Sequence, residues 1–251
     1  MTSAYEEELT GGNVAHRVVR VGSTVRKPAG PATDAVHAVL THLHDVGFTG
    51  APRSFGRDER DRHVLEYVPG PLADTRPPLD RAGLAAVGRL IRDLHDALAD
   101  FRPPSDAVWD VVIPPDRADL VCHHDPAPWN LVLGERWVFI DWDGAGPGSR
   151  LWDLGYAAHG FVPLAPAGDP AVDAPRLRAL VDGYGLDADE RTALPPLIGA
   201  HTRAMYDLLR TSADTGVQPW ARLYAEGHGD HWGPAADYVD RHREMWTAAL
   251  S

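Results

Sequence analysis

The stretch V-C-H-H-D-P-A-P-W-N-L-V-L-G-E-R-W-V-F-I-D-W-D-G-A-G-P-G-S-R-L-W-D, residues 121–153, decides how this chain is to be read. Leu131, Val132 and Leu133 form a short apolar run. Gly134, Glu135 and Arg136 carry turn character, and Trp137, Val138, Phe139 and Ile140 form a second apolar run. Two such runs across a short turn containing Gly predict a β-hairpin. The outer ends of its strands lie side by side, so Asn130 and Asp141 converge there. An amide oxygen and a carboxylate together suit a hard cation such as Mg²⁺. Asp125 stands five residues before Asn130, on the loop that leads into the hairpin.

Three short patterns follow one another here. They are H-x-D-x4-N at His123, Asp125 and Asn130, then I-D-W at Ile140, Asp141 and Trp142, then D-L-G at Asp153, Leu154 and Gly155. An Asp-rich hairpin in an unrelated acidic protein accounts for any one of them, but not for the ordered set. The set, about thirty residues long, resembles the aminoglycoside phosphotransferase family. That resemblance implies an α+β, two-lobed protein-kinase-like fold. A small β-rich N-lobe (residues 1–69) covers the nucleotide, and a larger, mainly helical C-lobe (residues 70–251) carries catalysis and the acceptor pocket. It also implies ATP or GTP as co-substrate, Mg²⁺, and a small hydroxylated acceptor. In a kinase catalytic loop one Asp serves the acceptor hydroxyl, while an Asn and a second Asp serve the metal. Asp125 is then the catalytic residue, and Asn130 and Asp141 are the metal ligands. A carboxylate suffices for Asp125 because a loose phosphoryl transfer needs little base strength. Asp153 is expected to tie its helix to the catalytic loop. His123 is read as structural, and His124 occupies a place where the family usually carries Gly.

Composition limits the other possibilities. A chain of 251 residues with a net charge of −12 can build a sizeable core and lacks the basic surface that nucleic acid requires. No run reaches the length of a membrane span, and the first residues, M-T-S-A-Y-E-E-E, lack a signal-peptide pattern. Cys122 is the only cysteine, which excludes an internal disulfide and fits a reducing cytoplasm. Lys27 is the only lysine; the other basic side chains are Arg and His.

Along the chain, residues 14–21 and 24–27 flank a Gly22-Ser23 turn and read as a hairpin. Asp34 is expected to cap a helix that runs to about residue 46. Residues 51–56 and 63–68 read as strands, and Pro69-Gly70-Pro71 breaks the pattern. Residues 80–99 form a strong amphipathic helix, with Leu84, Val87, Leu90, Ile91, Leu94 and Leu98 as its stripe. Further helices are expected over 152–161, 176–184, 189–211, 219–226 and 234–249.

Within the N-lobe, Gly12 and Asn13 sit in a Gly-Gly turn whose amides are candidates to approach phosphates. Either Arg26 or Lys27 supplies the cation for the α- and β-phosphates. Strand alternation lets only one of them face the cleft. The family's usual strand ending, a cation, one residue and then Pro, favours Arg26. The segment after residue 63 resembles the hinge, with the Glu66 carbonyl and Val68 amide facing adenine beside Leu65. One departure stands out. Kinases pair the strand cation with a Glu on the next helix. Here the expected place, near Val36 and His37, holds no carboxylate.

Several other patterns carry less. Adjacent residues in a strand face opposite ways, so His123, His124 and Asp125 do not make a zinc site. His228-Gly229-Asp230 repeats the H-x-D pattern without an Asn five residues on. Gly144-x-Gly146-x-Gly148 lacks the βαβ setting of a dinucleotide loop. Asp182, Asp207, Asp214 and Glu226 are acids available to a cationic acceptor, although a solvated face explains each. A choline- or sugar-type kinase of the same fold and a catalytically silent nucleotide-binding module are the competing readings.

Overall fold

A computed structural model describes residues 5–9 and 18–251. The Gly12 and Asn13 turn lies outside the described residues. Five strands form an antiparallel sheet, namely β1 (Glu7–Leu9), β2 (Val18–Val21), β3 (Thr24–Pro28), β4 (Ser54–Arg57) and β5 (Arg62–Glu66), in the order β1-β2-β3-β5-β4. Gly22 makes the β2–β3 turn in the left-handed region, at φ 61°. Helix α1 (Thr33–Asp45) connects β3 to β4. Asp34 does not cap it. The N-cap is Ala32, without a side-chain cap, so the helix begins two residues ahead of that expectation and leaves Asp34 in the first turn to pair with Arg57.

Beyond residue 70 the chain is mainly helical. Helix α2 (Arg81–Ala97) starts at Asp80, whose side chain accepts the Gly83 N–H. Then come β6 (Leu120–Cys122), β7 (Leu131–Leu133), β8 (Trp137–Phe139) and β9 (Gly146–Gly148). The β7–β8 hairpin has the expected register, Leu131 opposite Phe139 and Leu133 opposite Trp137. The pairing of β6 with β9 was not foreseen, because Gly-Pro-Gly has no strand propensity. It forms where bare glycine is required. A Cβ on Gly146 would sit 2.4 Å from the Val111 side chain, and one on Gly148 2.9 Å from His124.

The remaining helices are α3 (Arg150–Phe161), α4 (Pro170–Tyr184), α5 (Ala188–Thr215), α6 (Trp220–Ala225), α7 (His228–Arg241) and α8 (Arg243–Leu250). Asp169 caps α4 and starts it at Pro170, ahead of the residue 176 expected. The helix expected over 234–249 is two helices broken at His242, and His228-Gly229-Asp230 opens the first of them. No described helix is long and apolar enough to cross a membrane.

The larger core joins α2, α3, α4 and α5 and takes in Leu131 and Phe139 of the hairpin. A second core lies under α1 and joins Leu65 of β5 to Leu94 and Leu98 of α2 and to Trp142. The two lobes therefore share a core, although the sheet gives way to helices near residue 70. Helices α2 and α4 cross at glycine. A Cβ on Gly88 would lie 2.1 Å from the Leu180 carbonyl oxygen, and one on Gly183 2.1 Å from that of Ala85. Backbone cannot give as a side-chain tip can, so Gly88→Ala should cost about 1–3 kcal/mol. Gly144→Ala, whose Cβ meets nothing within 4 Å, should stay within about 0.5 kcal/mol. Thermal unfolding of the two variants checks this, and equal melting temperatures would show that the crossing is not tight.

Candidate active site

The hairpin brings the expected residues together. Ile140 N–H donates to the Asn130 carbonyl at 2.8 Å, which extends the ladder one pair beyond β8 and sets Asp141 beside Asn130. The Asn130 amide is oriented by its neighbours. Its Nδ2 donates to the Asp125 carbonyl at 3.1 Å and to Asp125 Oδ2 at 2.8 Å. Its Oδ1 is therefore turned away and available as an oxygen donor. Asp141 holds a left-handed backbone at φ 60°, a strained geometry for a non-glycine residue that aims its carboxylate into the cleft. An amide oxygen and a carboxylate oxygen form a hard donor set that fits Mg²⁺.

Asp125 Oδ1 is buried and has no hydrogen-bond partner. Burial pushes the Asp125 pKa up to about 7. The nearby Tyr156 hydroxyl and Trp129 indole pull it down, and the charge of Asp141 raises it further. A carboxylate with one oxygen fixed and the other bare is set to receive a proton. Neither Tyr156 nor Trp129 was singled out from the sequence, since each reads there as an ordinary aromatic.

Two histidines and one acid hold this loop. His123 is fully buried, accepts the Asp125 N–H at Nδ1 and donates from Nε2 to the Ile140 carbonyl at 3.1 Å. It thus links the loop to the residue before Asp141, packed against the rings of Phe139 and Trp142. His124 adopts φ 66°, which explains why glycine suits this place. The left-handed backbone costs a side chain about 1 kcal/mol. In return, His124 Nε2 reaches the carbonyls of Gly146 and Pro147 at 3.2 and 3.0 Å. The two rings point to different partners, so they do not share a metal.

Asp153 lies in the first turn of α3, fully buried, and accepts the backbone N–H groups of His123 and His124 at 3.3 and 2.8 Å. It also meets His95 Nε2 at 3.1 Å, and His95 Nδ1 meets the Tyr184 hydroxyl at 2.8 Å. Burial alone would raise the Asp153 pKa, but these donors, His95 foremost, bring it down to about 2. Ligand atoms of His95, Cys122 and Asp153 lie within 4.8 Å of one another. His95 and Asp153 are already hydrogen-bonded to each other in this strut, and burial pushes the Cys122 thiol pKa up. The sequence signal for His95 was a polar residue on the buried stripe of α2, between Leu94 and Leu98.

From the sheet, Lys27 enters the cleft. It is 8% exposed, and its Nζ lies 2.6 Å from Asp143 Oδ1 and 3.5 Å from Asp141 Oδ1. Burial opposes the ammonium, but the two carboxylates outweigh it and leave its pKa raised. Of the two strand cations, Lys27 and not Arg26 is the one that faces the hairpin acids. Arg26 sits on the opposite face of β3 and pairs with Asp58 at 3.2 Å. The spacing to Pro28 gave the wrong residue, because the register with His63 and Val64 on β5 sets which side chain faces inward.

Leu65 is buried in the second core, and Val68 lies just past the end of β5. The Glu66 carboxylate has a structural task. It pairs at 2.6 Å with Arg136 of the hairpin turn, which also donates to the carbonyls of Thr49 and Ala51 and so ties hairpin to sheet. The acids considered for a cationic acceptor mostly meet arginine. Asp182 pairs with Arg178 and Arg191, Asp207 with Arg210, and Glu226 with Arg222.

Comparison with known proteins places the fold and the family. The family model described as the phosphotransferase enzyme family matches residues 105–195, which hold the catalytic loop, the hairpin and α3. The trifolitoxin immunity protein of Rhizobium leguminosarum bv. trifolii is 30% identical over 260 aligned residues, covering 97% of this chain and 98% of that protein. A choline/ethanolamine kinase family protein from Mesorhizobium loti superposes with a TM-score of 0.63 at 18% identity, covering 99% of this chain and 92% of its own. Amicoumacin kinase hAmiN, solved with AMP-PNP, Ca²⁺ and Ami, gives a TM-score of 0.68 at 12% identity, covering 94% of this chain and 88% of its own. The chain belongs to the aminoglycoside phosphotransferase family of phosphotransferase enzymes, and its fold is that of the protein kinases.

Asp153 gives the site a pH signature. Its folded pKa of about 2 lies below the unfolded value, so its contribution is fully present above about pH 4 and is lost as pH falls toward 2. Asp153→Ala should cost about 2–3 kcal/mol at pH 7 and flatten the acid limb of the stability curve. Denaturant unfolding from pH 7 to pH 2 checks this; parallel acid limbs in variant and wild type would exclude the strut.

Proposed function

We propose that this protein transfers the γ-phosphoryl group of ATP, or of GTP, to a hydroxyl of a small molecule. The observation that carries the proposal is Asp125, held by Asn130 with one bare, buried oxygen, beside the Lys27–Asp141 pair. In the reaction the acceptor oxygen forms a bond to phosphorus, and the bridging bond to the β-phosphate breaks to leave the nucleoside diphosphate. Asp125 orients the acceptor hydroxyl and takes its proton. Its raised pKa makes it a competent resting place for that proton. Lys27 meets the phosphates. The segment around Leu65, Glu66 and Val68 lines the adenine side, with Gly12 and Asn13 as candidates to cover the phosphates. Asn130 and Asp141 would hold Mg²⁺, which would supply positive charge to offset the charge of the transferred phosphoryl group. The division at residues 69 and 70 then separates the nucleotide-covering part from the catalytic part.

The likeness over 97% of this chain to a protein named for immunity to trifolitoxin favours a protective role, in which the acceptor is a toxic small molecule. The arginine pairing of Asp182, Asp207 and Glu226 weakens the case for a polycationic acceptor. Choline- and sugar-type alcohols belong in the same trial.

The test is turnover with Mg-ATP against aminoglycosides, choline-type alcohols, sugars and hydroxylated small-molecule toxins, read by nucleoside diphosphate release and by product mass. Wild type should phosphorylate at least one of them. Asp125→Asn should lose about 10²–10⁴-fold in kcat while calorimetry finds its Mg-ATP affinity little changed. Binding of Mg-ATP without transfer to any acceptor would favour the silent module.

Lys27→Ala and Arg26→Ala separate the two cations. Lys27→Ala should weaken ATP binding by about 1.5–3 kcal/mol, the value of a charge-assisted contact. Arg26→Ala should fall within about 0.5 kcal/mol. A larger loss in Arg26→Ala would reverse the assignment made from the strand register.

A further inference from the structure

We propose that Asp143 is the positioning residue for Lys27, replacing the helix carboxylate that this chain lacks. Lys27 is nearly buried, and a buried ammonium requires a fixed counter-charge. Helix α1 cannot supply one. Its buried residues are Thr33, Ala35, Val36, Val39, Leu40 and Leu43. Asp34 is turned outward onto Arg57, with its side chain 78% exposed.

Near the expected position stands His37, and it is already engaged. Its Nδ1 lies 2.8 Å from Ser54 Oγ, which lies 2.7 Å from His63 Nε2. His63 is the cross-strand partner of Lys27, and burial together with the Lys27 charge drives its pKa down to about 4. Two imidazoles joined through a hydroxyl wall the lysine on that side, and at neutral pH His63 adds no charge to balance it.

The balance comes from the opposite lobe. Asp143 Oδ1 is 2.6 Å from Lys27 Nζ, against 3.5 Å for Asp141. Asp143 is fixed by its turn. Ala145 N–H donates to the Trp142 carbonyl at 3.0 Å, and the buried Trp142 indole donates to the Phe139 carbonyl at 2.8 Å. The chain thus carries two acids two residues apart with separate tasks. Asp143 holds the lysine, and Asp141 remains available to a metal. The inference rests on the phosphotransferase reading only where it gives Lys27 a phosphate to meet.

Because Lys27 is the only lysine, its amine can be followed directly. The experiment exposes full-length, metal-free and nucleotide-free protein to an amine-acylating reagent at fixed pH. Modification of the Lys27 peptide is followed by mass spectrometry in wild type, Asp143→Asn and Asp141→Asn. Asp143→Asn should label about three- to ten-fold faster than wild type, with its melting temperature held, since a charge-assisted bond is lost at a partly exposed carboxylate. Asp141→Asn should change labelling less. Equal labelling in Asp143→Asn and wild type, or a larger change in Asp141→Asn, overturns the proposal. The readout needs no acceptor and no turnover, so it stands or falls apart from the proposed reaction.

Discussion

The site depends on one buried carboxylate. Asp153 accepts two consecutive backbone N–H groups of the catalytic loop and the imidazole of His95, and so fastens that loop to α3 and to α2 at once. Without it, the backbone N–H groups of His123 and His124 would lose their buried acceptor, and the left-handed turn at His124 would be held only through its ring. Everything downstream inherits that fixed point. His123 fixes the backbone of Asp125, Asn130 fixes the Asp125 side chain, and the hairpin fixes Asn130 against Asp141.

A second constraint joins the lobes across the cleft. Lys27 from the sheet meets Asp141 and Asp143 from the catalytic side. At the far end, Arg136 of the hairpin turn meets Glu66 and the carbonyls of Thr49 and Ala51. These ties bracket the hairpin and hold the sheet at a set height above it. The shared core of Leu65, Leu94, Leu98 and Trp142 makes the same join in apolar contact. The sheet is thus tied to the hairpin side at several points.

Two departures from the family pattern have local explanations. His124 takes the place of a glycine and adopts the glycine backbone. Its ring offsets part of the cost by bonding two carbonyls of the strand pair behind it. The helix carboxylate that usually faces the strand cation is absent, and the cation is nevertheless paired, from the other lobe. In the first case the substituted residue keeps the glycine backbone itself, and in the second the pairing comes from a different part of the chain.

By itself the sequence determined the hairpin and the helix stripes. These depend on residues within a few positions of one another, where turn chemistry and periodicity act directly. That Asn130 and Asp141 lie side by side was legible for that reason, and so was the α+β division. The tertiary structure alone decided which of Arg26 and Lys27 faces inward, because neighbouring strand residues differ only through the register with β5. It alone decided the partner of that cation, which lies 114 residues away at Asp141, with Asp143 two residues further on. It alone paired Gly-Pro-Gly with β6, since the need for bare glycine comes from Val111 and His124 packed against it. Local pattern fixes what a segment can be, whereas the long-range contact that selects among those options exists only once the chain has closed on itself.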